Sequence, residues 1–349
     1  MFSLKPQDRV SLIPSADVLT SRNSRPLAGN GSNAQRIYPK TSELSFLNDF
    51  PKISDFPFNL QIVRFRERRW GANAAQGSRL NGNAFRCVRT SVTIHHTRTG
   101  GGKPLLLVHG LGGSSRSWNT ILPALAENRE VIAIDLPGHG GTPAEPDSGL
   151  FVGLARSLDD WLSSESMENV DMVGSSMGAR LVLEMARRGR SGAVVALDPG
   201  GFWRGWERSY FKTTISASIR LLRGIKPALP ALARNPVTRT LLMAQLSAKP
   251  WKLYPEMLAN ELTSFVETQT FDSLVRDLAT GPVQQGPSRA QGRVVIGWGR
   301  KDRLCLPRQA PRAVKAFPSA HLHWFESSGH FPMWDEPEET VRVILNAID

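Results

Sequence analysis

The sequence predicts an α/β protein: a doubly wound, mostly parallel sheet with a helical cap inserted late in the chain. Three observations predict it. Short apolar runs of strand length alternate with helical patterns between residues 104 and 200. From 202 to 287 only helical patterns remain, broken by prolines. From 293 to the last residue the alternation resumes. Alternating strand and helix patterns are the mark of right-handed βαβ crossovers. Strands that are apolar throughout, rather than at every second position, are those covered on both faces.

In chain order, residues 1–83 are rich in Ser, Asn, Arg and Pro and lack sustained periodicity, so a disordered basic segment is expected. Most of the formal charge of +12 belongs there. Residues 1–90 hold 14 Lys and Arg against six Asp and Glu. The run Arg64-Phe65-Arg66-Glu67-Arg68-Arg69-Trp70 interleaves bases with aromatics and reads as a solvated face. Because the excess lies outside the part that carries the motifs, no nucleic-acid partner is expected. The opening residues lack the apolar stretch of a secretory signal, and no run reaches the ~18 apolar residues of a membrane span. The two cysteines, Cys87 and Cys305, form neither a disulfide framework nor a metal-ligand spacing. A cytoplasmic protein without metal or cofactor, acting on a small molecule, is the expectation.

Order is expected from residue 84, with a core over 84–201 and 288–349 and the cap over 202–287. Residues 85–102 alternate like a strand pair and turn at Gly100 to Gly102. Pro104 to Val108 is a buried strand, ending in the glycine-rich loop His109-Gly110-Leu111-Gly112-Gly113. Ser117 to Glu127 reads as a helix with Trp118, Leu122 and Leu125 on one side. Val131 to Ile134 is the next strand and runs into Asp135-Leu136-Pro137-Gly138-His139-Gly140. Leucines at 150, 154, 158 and 162 mark a helical face. Val170 to Val173, Gly174-Ser175-Ser176-Met177-Gly178 and the residues up to Arg188 read as strand, sharp turn and helix. Ala193 to Leu197 is a strand that ends in Asp198-Pro199. In the cap, helices are expected at Thr213 to Leu222, Val237 to Leu246 and Glu256 to Glu267. The aromatics Trp203, Trp206, Tyr210, Phe211, Trp251 and Tyr254 read mostly as core of that layer, with one or two left to line a pocket. Arg293 to Gly297 and His321 to Phe325 are the last strands. They lead into Asp302 and His330, and a final helix is expected after Asp335, with Glu338 at capping-box spacing.

In such a sheet, ligands sit at the carboxyl ends of the strands. Ser176, Asp302 and His330 follow three separate strands and so share that edge. A serine is a poor nucleophile until a base takes its proton, and an imidazole does so near neutrality. A carboxylate fixes the imidazole tautomer and stabilises the imidazolium. Acyl transfer also needs donors aimed at the oxyanion. The Met177 N–H, just after the serine, and the Leu111 N–H of the glycine-rich loop are the candidates. Asp198 is a rival for the acid. His109 and His139 read as structural, and nothing is assigned to His95, His96, His321 or His323. Arg180 is a candidate partner for an anionic substrate, although a helix residue there more often points elsewhere.

The motifs HGLGG (109–113), DLPGHG (135–140), GSSMG (174–178), WGRKD (298–302) and SGHFPMWDEP (328–337) stand in one order. On them the chain, from Phe85 to Asp349, resembles the α/β-hydrolase fold superfamily in its branch with a helical cap. The resemblance implies Ser176 as nucleophile, Asp302 as acid, His330 as base, and Leu111 with Met177 as the oxyanion-hole backbone. It implies a serine hydrolase of the carboxylesterase type. Haloalkane dehalogenases and epoxide hydrolases, similar in pattern, carry aspartate where this chain has Ser176. Carbon–carbon bond hydrolases, thioesterases, haloperoxidase-like enzymes and lyases keep the same triad and stay open as alternatives. So does a ligand-binding protein without turnover, and so does attachment to nucleic acid or an anionic surface through residues 1–83.

Overall fold

The structure, a computed structural model, describes residues 93–349. The expectations for residues 1–83 and for Cys87 lie outside the described residues. Seven strands form one sheet: β1 (His96–Thr99), β2 (Pro104–Val108), β3 (Glu130–Ile134), β4 (Asp171–Ser175), β5 (Val194–Leu197), β6 (Val294–Gly299) and β7 (His321–Phe325). Their order is β1-β3-β2-β4-β5-β6-β7. β1 runs antiparallel to β3, and the other pairings are parallel. From β2 the chain crosses to β3 on one side, then returns to β4 on the other. The direction of winding therefore reverses between β2 and β4. The crevice outside such a reversal, at the carboxyl ends of the strands, is where this architecture holds ligands.

The strands form where they do because both faces of the sheet are covered. Leu105 to Val108 of β2, Val131 to Ile134 of β3 and all of β5 are fully buried. Truncating one of them, such as Leu106→Ala, costs about 2–5 kcal/mol. Helices α1 (Leu122–Ala126), α2 (Phe151–Ser164) and α3 (Met177–Arg188) connect the first strands. Between β5 and β6 lie α4 (Glu207–Gly224), α5 (Leu229–Arg234), α6 (Pro236–Met243), α7 (Pro255–Glu267) and α8 (Phe271–Thr280). Then come α9 (Ala310–Ala316), α10 (Pro332–Asp335) and α11 (Pro337–Ile348). Among the described residues, no helix is long and apolar enough to cross a membrane.

Three local expectations are corrected. Of the expected strand pair, β1 is the described member, and the first half falls outside the described residues. The helix expected over Ser117 to Glu127 is split into a 3-10 turn at Ser115–Trp118, capped by Ser114, and the short α1. Pro123 explains the break. It has no N–H to continue a helix from the preceding turn, but it is tolerated in the first turn of a new one. Trp206, Trp251 and Tyr254 are exposed at 57%, 52% and 72%, not core. The cap of the last helix is Glu336, without a side-chain capping bond. The Asp335 carboxylate is engaged elsewhere, as shown below.

Candidate active site

Ser176 sits between β4 and α3 with φ 55° and ψ −112°. A non-glycine residue in that region costs about 1–3 kcal/mol and persists only where its surroundings impose it. Here they do. The Ser176 N–H donates to Leu197 O at 2.9 Å, and its carbonyl accepts the first bond of α3, from Arg180 N–H. The flanking glycines make room for the turn. A Cβ on Gly174 would lie 2.3 Å from the Gly178 carbonyl oxygen, and one on Gly178 would lie 2.1 Å from that of Val108. The turn lifts Ser176 Oγ off the sheet edge, at the positive end of the α3 dipole.

Ser176 Oγ is 2.9 Å from His330 Nε2, and His330 Nδ1 is 2.8 Å from Asp302 Oδ2. A carboxylate only accepts, so Nδ1 carries the ring proton and Nε2 turns a lone pair towards the serine. Asp302 Oδ1 accepts from the N–H groups of Leu304 (2.7 Å) and Cys305 (3.0 Å). His330 and Asp302 are both buried. Asp198, the rival acid, is buried too, but its Oδ1 accepts from the Gly299 N–H at 2.8 Å, and the imidazole bonds to Asp302.

The loop after β2 closes over the serine, with Gly110 against it: a Cβ there would lie 3.2 Å from Ser176 Cβ. His109 braces this loop. Its Nε2 accepts from the Leu136 N–H at 3.0 Å, so its Nδ1 donates to Gly110 O at 2.7 Å. Burial lowers its pKa, in keeping with a neutral ring that ties two strand-end loops together. His139, 5.0 Å away ring to ring, is held down to about 3 by burial and by His109. His95 finds Asp135 at 2.8 Å and His323 finds Glu339 at 3.0 Å, both away from Ser176. The Met177 N–H opens α3, where no intrahelical acceptor exists. Leu111, Ser176, Met177 and His330 line one cavity of about 80 Å³.

The rest of that cavity is mostly apolar and comes largely from the helices between β5 and β6, including Phe211, Ile219, Leu222, Leu262 and Phe265. Trp203 and Phe211, stacked at 4.8 Å, are its aromatics from the expected set. Arg180 reaches the cavity but is engaged. Nε donates to Gln284 Oε1, Nη2 donates to Pro282 O at 2.7 Å, and the guanidinium lies 4.0 Å over the Phe151 ring. Burial lowers its pKa to about 10. Ser175, one residue before the turn, is fully buried in β4 and is not part of the cavity wall. Asp302, Cys305 and His330 bring donor atoms within 4.8 Å of one another, two of them as members of the hydrogen-bond chain to Ser176. Two of these already bond to each other, so any ion there would compete with that pair.

One contact escaped the sequence. Asp335 Oδ2 accepts from Gly329 N–H (2.7 Å) and Ala248 N–H (2.8 Å), and Oδ1 accepts from the Ser247 hydroxyl. The His330 N–H donates to Leu246 O at 2.8 Å. The turn that carries His330 is thus pinned to the end of the α6 region. No sequence signal marked the long-range part of it, because Ala248 and Ser247 lie 87 and 88 positions from Asp335.

A family model described as "Alpha/beta hydrolase family" matches residues 105–343. A dihydrolipoyllysine-residue acetyltransferase component of the acetoin cleaving system from Pseudomonas putida is 27% identical over 254 residues, which is 70% of this chain and 63% of that protein. The chain therefore spans less than two thirds of that relative. A 2-hydroxy-6-oxononadienedioate/2-hydroxy-6-oxononatrienedioate hydrolase from Dechloromonas aromatica is 25% identical, covering 72% of this chain and 89% of its own. Among solved structures, an esterase from Exiguobacterium antarcticum superposes with a TM-score of 0.59 at 18% identity, over 73% of this chain and 95% of that one.

Proposed function

The chain belongs to the alpha/beta hydrolase family, and on that premise we propose that it is a serine hydrolase cleaving esters of small, largely apolar organic substrates through an acyl-enzyme. The observation that carries this reading is the unbroken chain of hydrogen bonds from Ser176 Oγ through His330 to Asp302. Ser176 Oγ attacks the ester carbonyl while its proton passes to His330 Nε2. The N–H groups of Leu111 and Met177 receive the oxyanion. Collapse of the intermediate breaks the C–O bond, and His330 returns the proton to the leaving alkoxide, which departs as the alcohol. Water then attacks the acyl group. His330 takes its proton and hands it to Ser176 Oγ as the acid is released. Asp302 keeps its charge throughout and stabilises the imidazolium. The helices between β5 and β6 serve as a cap whose apolar wall receives the acyl group.

The carbon–carbon hydrolase reading is less well supported. The substrate of the Dechloromonas relative is, by its printed name, a dioate. Arg180, the guanidinium of this cavity, is already bonded to Gln284 and Pro282. The test is direct. Ser176→Ala removes hydrolysis of p-nitrophenyl esters by at least about a thousandfold and removes labelling by a fluorophosphonate. Undiminished turnover in that variant overturns the nucleophile assignment.

A further inference from the structure

The mechanism above leaves one buried carboxyl unused. Asp198 ends the strand next to β6, in a left-handed conformation (φ 47°) that aspartate and asparagine tolerate better than most residues. It is fully buried. Oδ1 accepts from the Gly299 N–H. Oδ2 is buried and meets no donor among the described residues. The neighbouring side chain that acts on Asp198 most strongly is another acceptor, the carboxyl of Asp302, three residues beyond Gly299.

Two neighbouring carboxyls, one of them with a buried oxygen that meets no donor, are stable together only with a proton between them. The charged groups that act on Asp198 are Asp302, from the loop after β6, and Asp335, from α10, both acidic. Cys305 and His330 are the other titratable groups beside Asp302. Glu207 of α4 acts on Cys305 and is itself paired with Arg308 and Arg312. With no cation between them among the described residues, two ionised carboxylates in a dry corner repel, and one keeps its proton. Asp302 is suited to the charge, because three N–H donors converge on it from Leu304, Cys305 and His330. Asp198 has one donor. We propose that Asp198 is a neutral carboxylic acid that donates its proton to Asp302 and so holds that carboxylate in line with His330. Burial first, and the Asp302 charge second, raise its pKa well above the ordinary carboxylate range, in the same direction. Asp198 is thus a positioning residue. Its kinetic role rests on the serine-hydrolase reading, whereas its protonation state does not.

The experiment uses the full chain and reads both. At pH 8, difference infrared spectroscopy of the protein against Asp198→Asn shows the carbonyl band of a neutral carboxylic acid, lost in the variant. Asp198→Ala lowers kcat on p-nitrophenyl esters about tenfold, with KM within about twofold. Asp198→Asn can accept from Gly299 through its oxygen and donate to Asp302 through its amide. It recovers most of the loss and leaves the acid limb of the kcat/KM profile in place, because a neutral group has replaced a neutral group. Absence of the infrared band overturns the proposal. So does an acid limb that moves down by about half a pH unit or more in Asp198→Asn, since this means that a negative charge has been removed near His330. Wild-type kcat in Asp198→Ala overturns the positioning role. If Ser176→Ala retains activity while the band is present, the catalytic reading fails and the neutral carboxyl stands.

Discussion

The sheet edge and the helices between β5 and β6 contribute to the same cavity by different physics. At the edge, each polar side chain is fixed by backbone hydrogen bonds. Ser176 is held through its own N–H and carbonyl, Asp302 by two amides beyond its imidazole partner, and His109 by an amide and a carbonyl. The helical segment presents Ile219, Leu222 and Phe265, which are placed by packing alone. Of its two deeply buried carboxyls, Glu207 pairs with Arg308 and Arg312, while among the described residues neither oxygen of Glu261 meets a hydrogen-bond partner. Directional bonds set a geometry to tenths of an ångström. Packing sets a volume. The first suits bond breaking, and the second suits choosing what enters.

Three changes test that division, from the largest expected effect to the smallest. Asp302→Asn strikes the directional side. The amide puts the wrong hydrogen-bond partner against His330 Nδ1, and kcat falls by about a thousandfold or more while KM stays near wild type. A loss below about tenfold would show that Asp198 takes over as acid. Ile219→Phe strikes the packing side by filling part of the apolar cavity. The preference for octanoyl over acetyl p-nitrophenyl esters drops about tenfold, while acetyl turnover stays within about threefold. Equal losses for both esters would mean that the helices hold the reacting groups as well. Glu261→Gln touches neither role. Burial raises the Glu261 carboxyl to about 7 from an ordinary 4.5. The folded state therefore holds its proton more tightly than the unfolded chain. That contribution is complete below about pH 4.5 and is lost as pH rises through about 7. Glutamine removes the penalty, so denaturant unfolding shows a gain of up to about 3 kcal/mol at pH 8 and little change at pH 5.

How much was legible follows the same line. The alternation of apolar runs and helical faces was enough for the parallel sheet, because strands covered on both faces leave a continuous hydrophobic signal. Gly174 and Gly178 marked the turn because no larger residue fits, and that constraint is local in sequence. The placement of Asp302 and His330 after β6 and β7 was equally local. The capping role read for Asp335 failed because two of its donors, Ser247 and Ala248, are brought to it only by the fold. The helix at 117–127 was misread because its periodicity continues through Pro123, where the backbone cannot. Trp206, Trp251 and Tyr254 were misread because composition does not tell which side of a thin helical layer a side chain faces. The neutral state inferred for Asp198 depends on what surrounds it, and no spacing announces that.

One joint bears on how such proteins can be recombined. The His330 N–H hangs from the carbonyl of Leu246, and a single carboxylate, that of Asp335, holds Ala248 and Gly329 together. The helices are consequently not an exchangeable module bounded by β5 and β6. A chimera that imports another relative's helices wholesale would replace the hook on which the histidine turn hangs. One that retains the 246–249 stretch and exchanges only the flanking helices would inherit a new apolar chamber with the histidine still seated.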